Sequence, residues 1–228
     1  MRALILGLIL ISTLCFPASV FAQAKDRLVI NIPSRTLDLY KNNQLKKTYP
    51  VGVGRATFPT PIGEFKVIRL VKKPGWENPY KPVGHIRIKA GETNPLGTRW
   101  IGFKADAAGE FGIHGTDSPK SVGQYSSHGC VRMLVKDAED LYNNVAMNMP
   151  VLVTYDTTRL YVNKSDVYLK TYPDTYKKGI SNINTVKSSI KKLNSLVVWN
   201  ASVALEAMHK MVAEPVKIGI VINETDFQ

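Results

Sequence analysis

Residues 26–54 (DRLVINIPSRTLDLYKNNQLKKTYPVGVG) alternate apolar and polar side chains with a period of two. Leu28, Ile30 and Ile32 share one face, and Leu37 and Leu39 share a face of the next run. Asn42-Asn43 marks a turn into a third run over 45–53. Short alternating runs joined by tight turns predict antiparallel β-structure. Residues 57–63 (TFPTPIG) hold two prolines and a glycine, which predicts an ordered turn, and 64–71 (EFKVIRLV) reads as one more strand. A long loop over 72–82 carries Trp76 and Tyr80, aromatics that either line a groove or pin the loop to the core. His85 falls in a strand-like run, VGHIRIK, and is read as structural. Turn material at 91–99 leads into the strand WIGF at 100–103.

Helical spacing first appears at 137–145, where Ala138, Leu141, Tyr142 and Val145 share a side and Asp137 is the expected N-cap. PVLVTY at 150–155 closes the first unit, taken to span 26–155. Residues 159–172 suggest two strands. Apolar positions at 183, 186, 190, 193, 197, 204, 205, 208 and 212 then predict a long helix, with Lys187, Lys191 and Lys192 on its other side. Met208 and Met211 are read as core filler. KIGIVI at 217–222 is a last strand. The fold class is therefore mainly β with few helices, followed over 156–228 by an α/β extension or lid containing a long helix, to which no chemistry is assigned.

The N-terminus changes the compartment. Arg2, an apolar run at 3–14, Pro17 and small residues before a cut after Ala22 form a secretory signal peptide over 1–22. The apolar run falls short of the ~20 residues of a membrane span, so no stable anchor is expected. Leu14 before Cys15 does not suit a lipidation site. Cleavage leaves 206 of the 228 residues and removes Cys15, so Cys130 becomes the single cysteine of an exported protein. A lone thiol in an oxidising compartment points to a reactive group or an intermolecular pair. The formal charge of +12 suits an anionic partner. No nucleic-acid-reading motif accompanies it, which leaves anionic lipid or an anionic cell-wall polymer.

The candidate chemistry lies in 111–133, FGIHGTDSPKSVGQYSSHGCVRM. A thiolate is the nucleophilic form of cysteine, and an imidazole can generate it. His114, at a strand end, is placed to serve as general base and later as general acid. His128 could serve instead if the backbone there is extended, because it would then share a side with Cys130. Gly129 permits a tight turn whose backbone N–H groups could hold an oxyanion. A buried, inert cysteine is the plain alternative. Structural zinc wants four close ligands, which one cysteine and scattered histidines do not supply, so neither metal nor cofactor is expected.

HGT at 114–116 and, with twelve residues between His114 and Ser127, SHGCVRM at 127–133 resemble the signature of the L,D-transpeptidase (YkuD-like) catalytic domain. TPIGEF at 60–65, NPLGTRWIGF at 94–103, the DAEDLY helix and PVLVTY are similar to that family over about 26–155, but not beyond. The resemblance implies a β-sandwich-like domain with a groove over the cysteine. It implies Cys130 as nucleophile and His114 as base. The carbonyl of Gly115 would orient the imidazole, Ser127 would shape the turn, and backbone N–H groups of Gly129, Cys130 and His128 would hold the oxyanion. Arg132 would either clamp a substrate carboxylate or brace the site internally, the brace being preferred. The implied substrate is the peptidoglycan tetrapeptide stem, with release of D-alanine. The acceptor is left open between a diaminopimelate amine, the lysine of a wall-attached lipoprotein, and water, the last giving a hydrolase of the carboxypeptidase or amidase type. A wall-binding module with a vestigial cysteine is the non-enzymatic alternative. The implied location is the periplasm.

Overall fold

The period-two pattern becomes a meander of β1 (Arg27–Asn31), β2 (Thr36–Lys41) and β3 (Gln44–Pro50), each antiparallel to the next. The computed structural model describes residues 24–77, 87–91, 93–107, 109–179, 181–193, 195–212 and 214–222. The signal-peptide residues, Tyr80 and His85 lie outside the described residues. After β4 (Val53–Gly54), the single strand expected over 64–71 is two: β5 (Gly63–Lys66) and β6 (Arg69–Lys72). The break has a physical cause, because neighbouring N–H groups point to different sheets. Val67 donates to Met149 O at 2.9 Å and Ile68 to Gly102 O at 2.8 Å.

A small antiparallel pair follows, β7 (Trp76–Glu77) with β8 (Arg87–Ile88). Next come the hairpin of β9 (Arg99–Asp106) and β10 (Gly109–His114), then β11 (Tyr125–Ser127), β12 (Val131–Arg132), helix α1 (Val135–Asn144) and β13 (Pro150–Thr154). One sheet has the order β3-β2-β1-β13-β5 and the other β12-β10-β9-β6. The closing strand β13 lies parallel to β1.

The two sheets share one core. Leu28, Ile30, Leu37, Val151 and Val153 of the first are buried with Ile101, Phe103, Ile113 and Val131 of the second. Phe65 and Phe103 touch across the gap at 5.5 Å between ring centres. Each such aliphatic side chain contributes about 1.5–3 kcal/mol on burial. The expected β-sandwich-like, mainly β architecture is therefore present. Helix α1 starts two residues before the expected N-cap. Asp137 sits in its first turn, where its charge favours the helix dipole, and Ala138 and Leu141 face the core.

The C-terminal unit has its own sheet, from β14 (Thr158–Asn163), β15 (Asp166–Thr171), β16 (Leu196–Trp199) and β17 (Val216–Ile222), in the order β14-β15-β17-β16. Two helices, α2 (Ile183–Lys191) and α3 (Ala201–Lys210), pack on it. Val186, Ile190, Ala204, Ala207 and Met208 form a second core with Val167, Leu169 and Ile218. The expected long helix over 183–212 does not form. The run Leu196–Trp199, with β-branched Val197 and Val198 at its centre, pairs with β17 as a strand, and Asn200 restarts the helix by accepting the N–H groups of Ser202 and Val203. Met208 is core, as expected. Met211 is not, since it ends α3 in a left-handed conformation and is 50% exposed.

Candidate active site

The site is built by a parallel pairing. Strand β12 lies beside the end of β10, with Ile113 level with Val131 and His114 level with Arg132. Side chains alternate along a strand, so Ile113 and Val131 enter the core while His114 and Arg132 stand on the opposite face. One step back along that register, Cys130 lies beside Gly112. The thiol hydrogen-bonds to Glu110 O at 4.0 Å rather than to the imidazole. The bare backbone of Gly112 is required here. A Cβ on it would fall 2.5 Å from the indole of Trp100, which pairs across β9–β10 with His114.

His114 is buried, at 4% exposed. Its Nδ1 lies 2.5 Å from Gly115 O. A carbonyl only accepts, so Nδ1 carries the proton and Nε2 is left as the basic nitrogen. The ring stacks on Trp100 at 5.6 Å and 17°. Trp100 is itself held by its Nε1, which donates to Glu110 Oε1 at 2.7 Å, and Glu110 pairs with Arg69 at 2.8 Å. Burial lowers the His114 pKa to about 4, with the nearby Arg132 charge acting in the same direction. The Gly115 carbonyl and Asp117 oppose this.

Burial also pushes the Cys130 thiol up. The Gly112 N–H and Arg132 pull it down, and Glu110 adds to the rise. Both shifts favour the neutral forms, a thiol at Cys130 and an imidazole at His114. The physical reason is that desolvation outweighs the local dipoles.

The turn before Cys130 is tightly determined. Ser127 Oγ donates to Cys130 O at 2.5 Å and accepts from Gly129 N at 3.1 Å. Gly129 has φ +108°, and a Cβ there would fall 2.6 Å from the Phe111 ring. Its N–H is thus committed to Ser127 and drops out of the oxyanion set, leaving Gly129 and Ser127 as turn-formers.

His128 is exposed and turns away from the thiol. Its Nε2 contacts Arg55 Nη2, and its ring meets Phe58 edge-on at 4.8 Å. Burial, Arg55 and Arg132 lower its pKa. The backbone of Arg132 is paired both ways with Gly52 at 2.8 Å. Among the described residues its guanidinium makes no hydrogen bond or ion pair, so the internal brace preferred from the sequence has no partner. Also among the described residues, no group of three or more His, Cys, Asp or Glu side chains could hold a metal ion.

Sequence reasoning missed Arg55, Phe58, Trp100 and Glu110. Each reaches the site across a fold contact of 10 to 73 positions, such as Trp100–Glu110 or Arg55–His128, and carries no local signal. The glycine at 112 was the one available hint, since it interrupts an otherwise bulky strand.

Comparison with known proteins agrees with this architecture. The model of the L,D-transpeptidase catalytic domain (YkuD) matches residues 25–153. The putative L,D-transpeptidase YqjB of Bacillus subtilis is 36% identical over 131 residues, covering 57% of this chain and 71% of that protein. The putative L,D-transpeptidase YkuD of Bacillus licheniformis is 32% identical over 128 residues, covering 56% of this chain and 65% of that protein. A solved L,D-transpeptidase from Mycobacterium smegmatis aligns over 57% of this chain and 59% of its own, with a TM-score of 0.45 and 19% identity. The chain spans between 43% and 71% of the length of the curated relatives it matches. Because the family model matches residues 25–153, more than half of the chain, the chain belongs to the L,D-transpeptidase catalytic-domain family.

Proposed function

We propose that the chain is an exported cysteine acyltransferase acting on the tetrapeptide stems of peptidoglycan. The observation that carries the reading is the parallel register of β10 and β12. It sets Cys130 and His114 on one face, with the imidazole already tied into the tautomer of a base. Family membership supports the reaction class. The cationic surroundings support the substrate class, since Arg132 and Arg55 flank the site and stem peptides carry carboxylates. The signal-peptide pattern at 1–22 supports export to the periplasm.

In the proposed reaction, Nε2 of His114 takes the proton from Cys130 Sγ as the sulfur attacks the carbonyl at the L-centre of diaminopimelate. The tetrahedral oxyanion forms beside the Cys130 N–H. The bond to D-alanine breaks, and His114 returns the proton to the leaving amine. An amine of a second stem, or a lipoprotein lysine, then attacks the thioester. It loses its proton to His114, and the Cys130 thiol is restored. Arg132 holds a substrate carboxylate in this scheme.

The test is intact-mass analysis of the mature protein after exposure to a carbapenem, alongside product analysis with purified muropeptides. The wild type is expected to gain one drug mass on Cys130 and to form cross-linked dimers. Cys130→Ala is expected to lose both, by at least about 10³-fold in rate, as befits a covalent nucleophile. Dimers formed by Cys130→Ala at the wild-type rate would refute the scheme.

A further inference from the structure

The C-terminal unit sends one side chain into the core of the other. Tyr176 lies between β15 and α2, yet it is buried among the residues of the sandwich, at 9% exposed. Its ring stacks on Tyr155 at 5.5 Å and meets Tyr125 of β11 edge-on at 5.9 Å. Its hydroxyl donates to Gly54 O at 2.5 Å and accepts from Thr60 N at 3.2 Å. Gly54 N in turn donates to Thr60 Oγ1 at 2.9 Å, so one phenol closes both ends of the 54–60 loop.

The segment carrying Tyr176 is itself held. Its N–H donates to Tyr155 Oη at 2.7 Å, and Tyr155 donates to Asp174 at 2.8 Å. Asp174 also accepts from the N–H groups of Lys178 and Gly179, each at 2.8 Å.

The loop it closes is a wall of the active site. Arg55 N donates to Ser127 O at 3.0 Å, and the Arg55 and Phe58 side chains both lie against His128. Pro59 O sits 3.2 Å from where a Gly129 side chain would begin. The turn that presents Cys130 therefore rests on a loop whose ends are fastened by the C-terminal unit. A buried hydroxyl with both a donor and an acceptor partner fixes geometry more narrowly than ring packing alone.

We propose that Tyr176 is a positioning residue for the active site. Through its hydroxyl, the C-terminal unit holds the 54–60 loop in the shape that receives a substrate at Cys130. This rests on the reading of Cys130 as nucleophile. It assigns the extension a part in the reaction in place of a passive cover.

The test uses the full mature chain and Tyr176→Phe, which keeps the stacked ring and removes the pin. Three quantities are measured in both proteins: the rate of Cys130 acylation by a carbapenem, the rate of alkylation by iodoacetamide, and hydrogen exchange at the Thr60 amide. Tyr176→Phe is expected to acylate about 10-fold more slowly. It is expected to alkylate within about twofold of wild type and to lose protection at Thr60. A wild-type acylation rate in Tyr176→Phe overturns the inference while leaving the nucleophile in place. An equal loss with both reagents puts the defect in the thiol and also overturns it. A wild-type protein that is alkylated but never acylated removes the nucleophile reading and the inference with it. Should Tyr176→Phe fail to fold, Tyr155→Phe, which releases the Tyr176 N–H and the hydrogen bond to Asp174, is measured in the same way, and an unchanged acylation rate there overturns the proposal.

Discussion

Burial holds Cys130 as a thiol and His114 as a neutral imidazole. It raises the thiol and lowers the imidazole to about 4, so both shifts oppose moving the proton from sulfur to nitrogen. Proton transfer must therefore accompany carbon–sulfur bond formation. A substrate carboxylate against Arg132 would ease it by offsetting the charge that opposes an imidazolium. The pH dependence follows. The base stays neutral down to about pH 4, so acylation should lose its acid limb near that pH and not near 6.5. Stability carries the same signature. The unfolded imidazole binds its proton near 6.5, whereas the folded one resists it until about 4. The folded state therefore keeps this contribution above 6.5 and loses up to about 3 kcal/mol as the pH falls through 4. Urea unfolding at pH 7, 5 and 4 checks this, with His114→Gln expected to show the shallower decline. A steep acid limb centred at 6.5 would place the active imidazole in a wetter site than the one described. Residue identity was legible at this scale because SHGC and HGT are local patterns. The protonation state was not, because the burial that dominates both shifts comes from residues distant in sequence, such as Trp100 stacked on His114.

At the scale of elements, local pattern decided what neighbours did not override. The alternation in β1 and β2 survived because Leu28, Ile30, Leu37 and Leu39 face one core, although Asp38 on the other face of β2 is buried as well. The run over 64–71 also alternates, but its partner changes at Val67–Ile68. A change of partner leaves no mark on hydrophobic periodicity. The stretch over 183–212 misled for a related reason. Val197 and Trp199 pack on the second core with strand alternation, yet Val197 also fits the helical positions on either side. Asn200 settles the matter as an N-cap, its side chain accepting from Ser202 N at 3.0 Å and Val203 N at 3.1 Å. Asn200→Ala should therefore cost about 1 kcal/mol, the usual effect of losing such a cap. If 183–212 were one continuous helix, the same change would stabilise it, because alanine is the better interior residue. Thermal unfolding of the full chain distinguishes the two by sign.

Across the whole molecule, two separate cores are tied by a small number of polar and aromatic links. Asn31 of the first unit donates through Nδ2 to Asp156 O and accepts from Asp156 N, both at 2.9 Å. Arg159 of β14 reaches back to β2, with Nη2 2.7 Å from Asp38 Oδ2 and Nη1 2.8 Å from Thr36 Oγ1. Asp38 is 10% exposed at its side chain, and its other oxygen accepts from Thr48 Oγ1 at 2.6 Å. A carboxylate so placed depends on its cation, because water no longer screens it. Arg159→Ala should accordingly destabilise the chain by about 3 kcal/mol, mostly the cost of leaving Asp38 charged, desolvated and unpaired. Removing both partners abolishes that penalty. Asp38→Ala/Arg159→Ala is therefore expected to recover at least half of the loss, a non-additivity that denaturant midpoints for the single and double variants will read directly. Simple additivity would mean that the Arg159 side chain works by packing over Tyr161 rather than by pairing. The distinction bears on the site, since the same unit that β14 fastens to β2 carries Tyr176 into the wall beside Cys130. Acylation of the Arg159→Ala variant should therefore fall only where its unfolding begins, and not before.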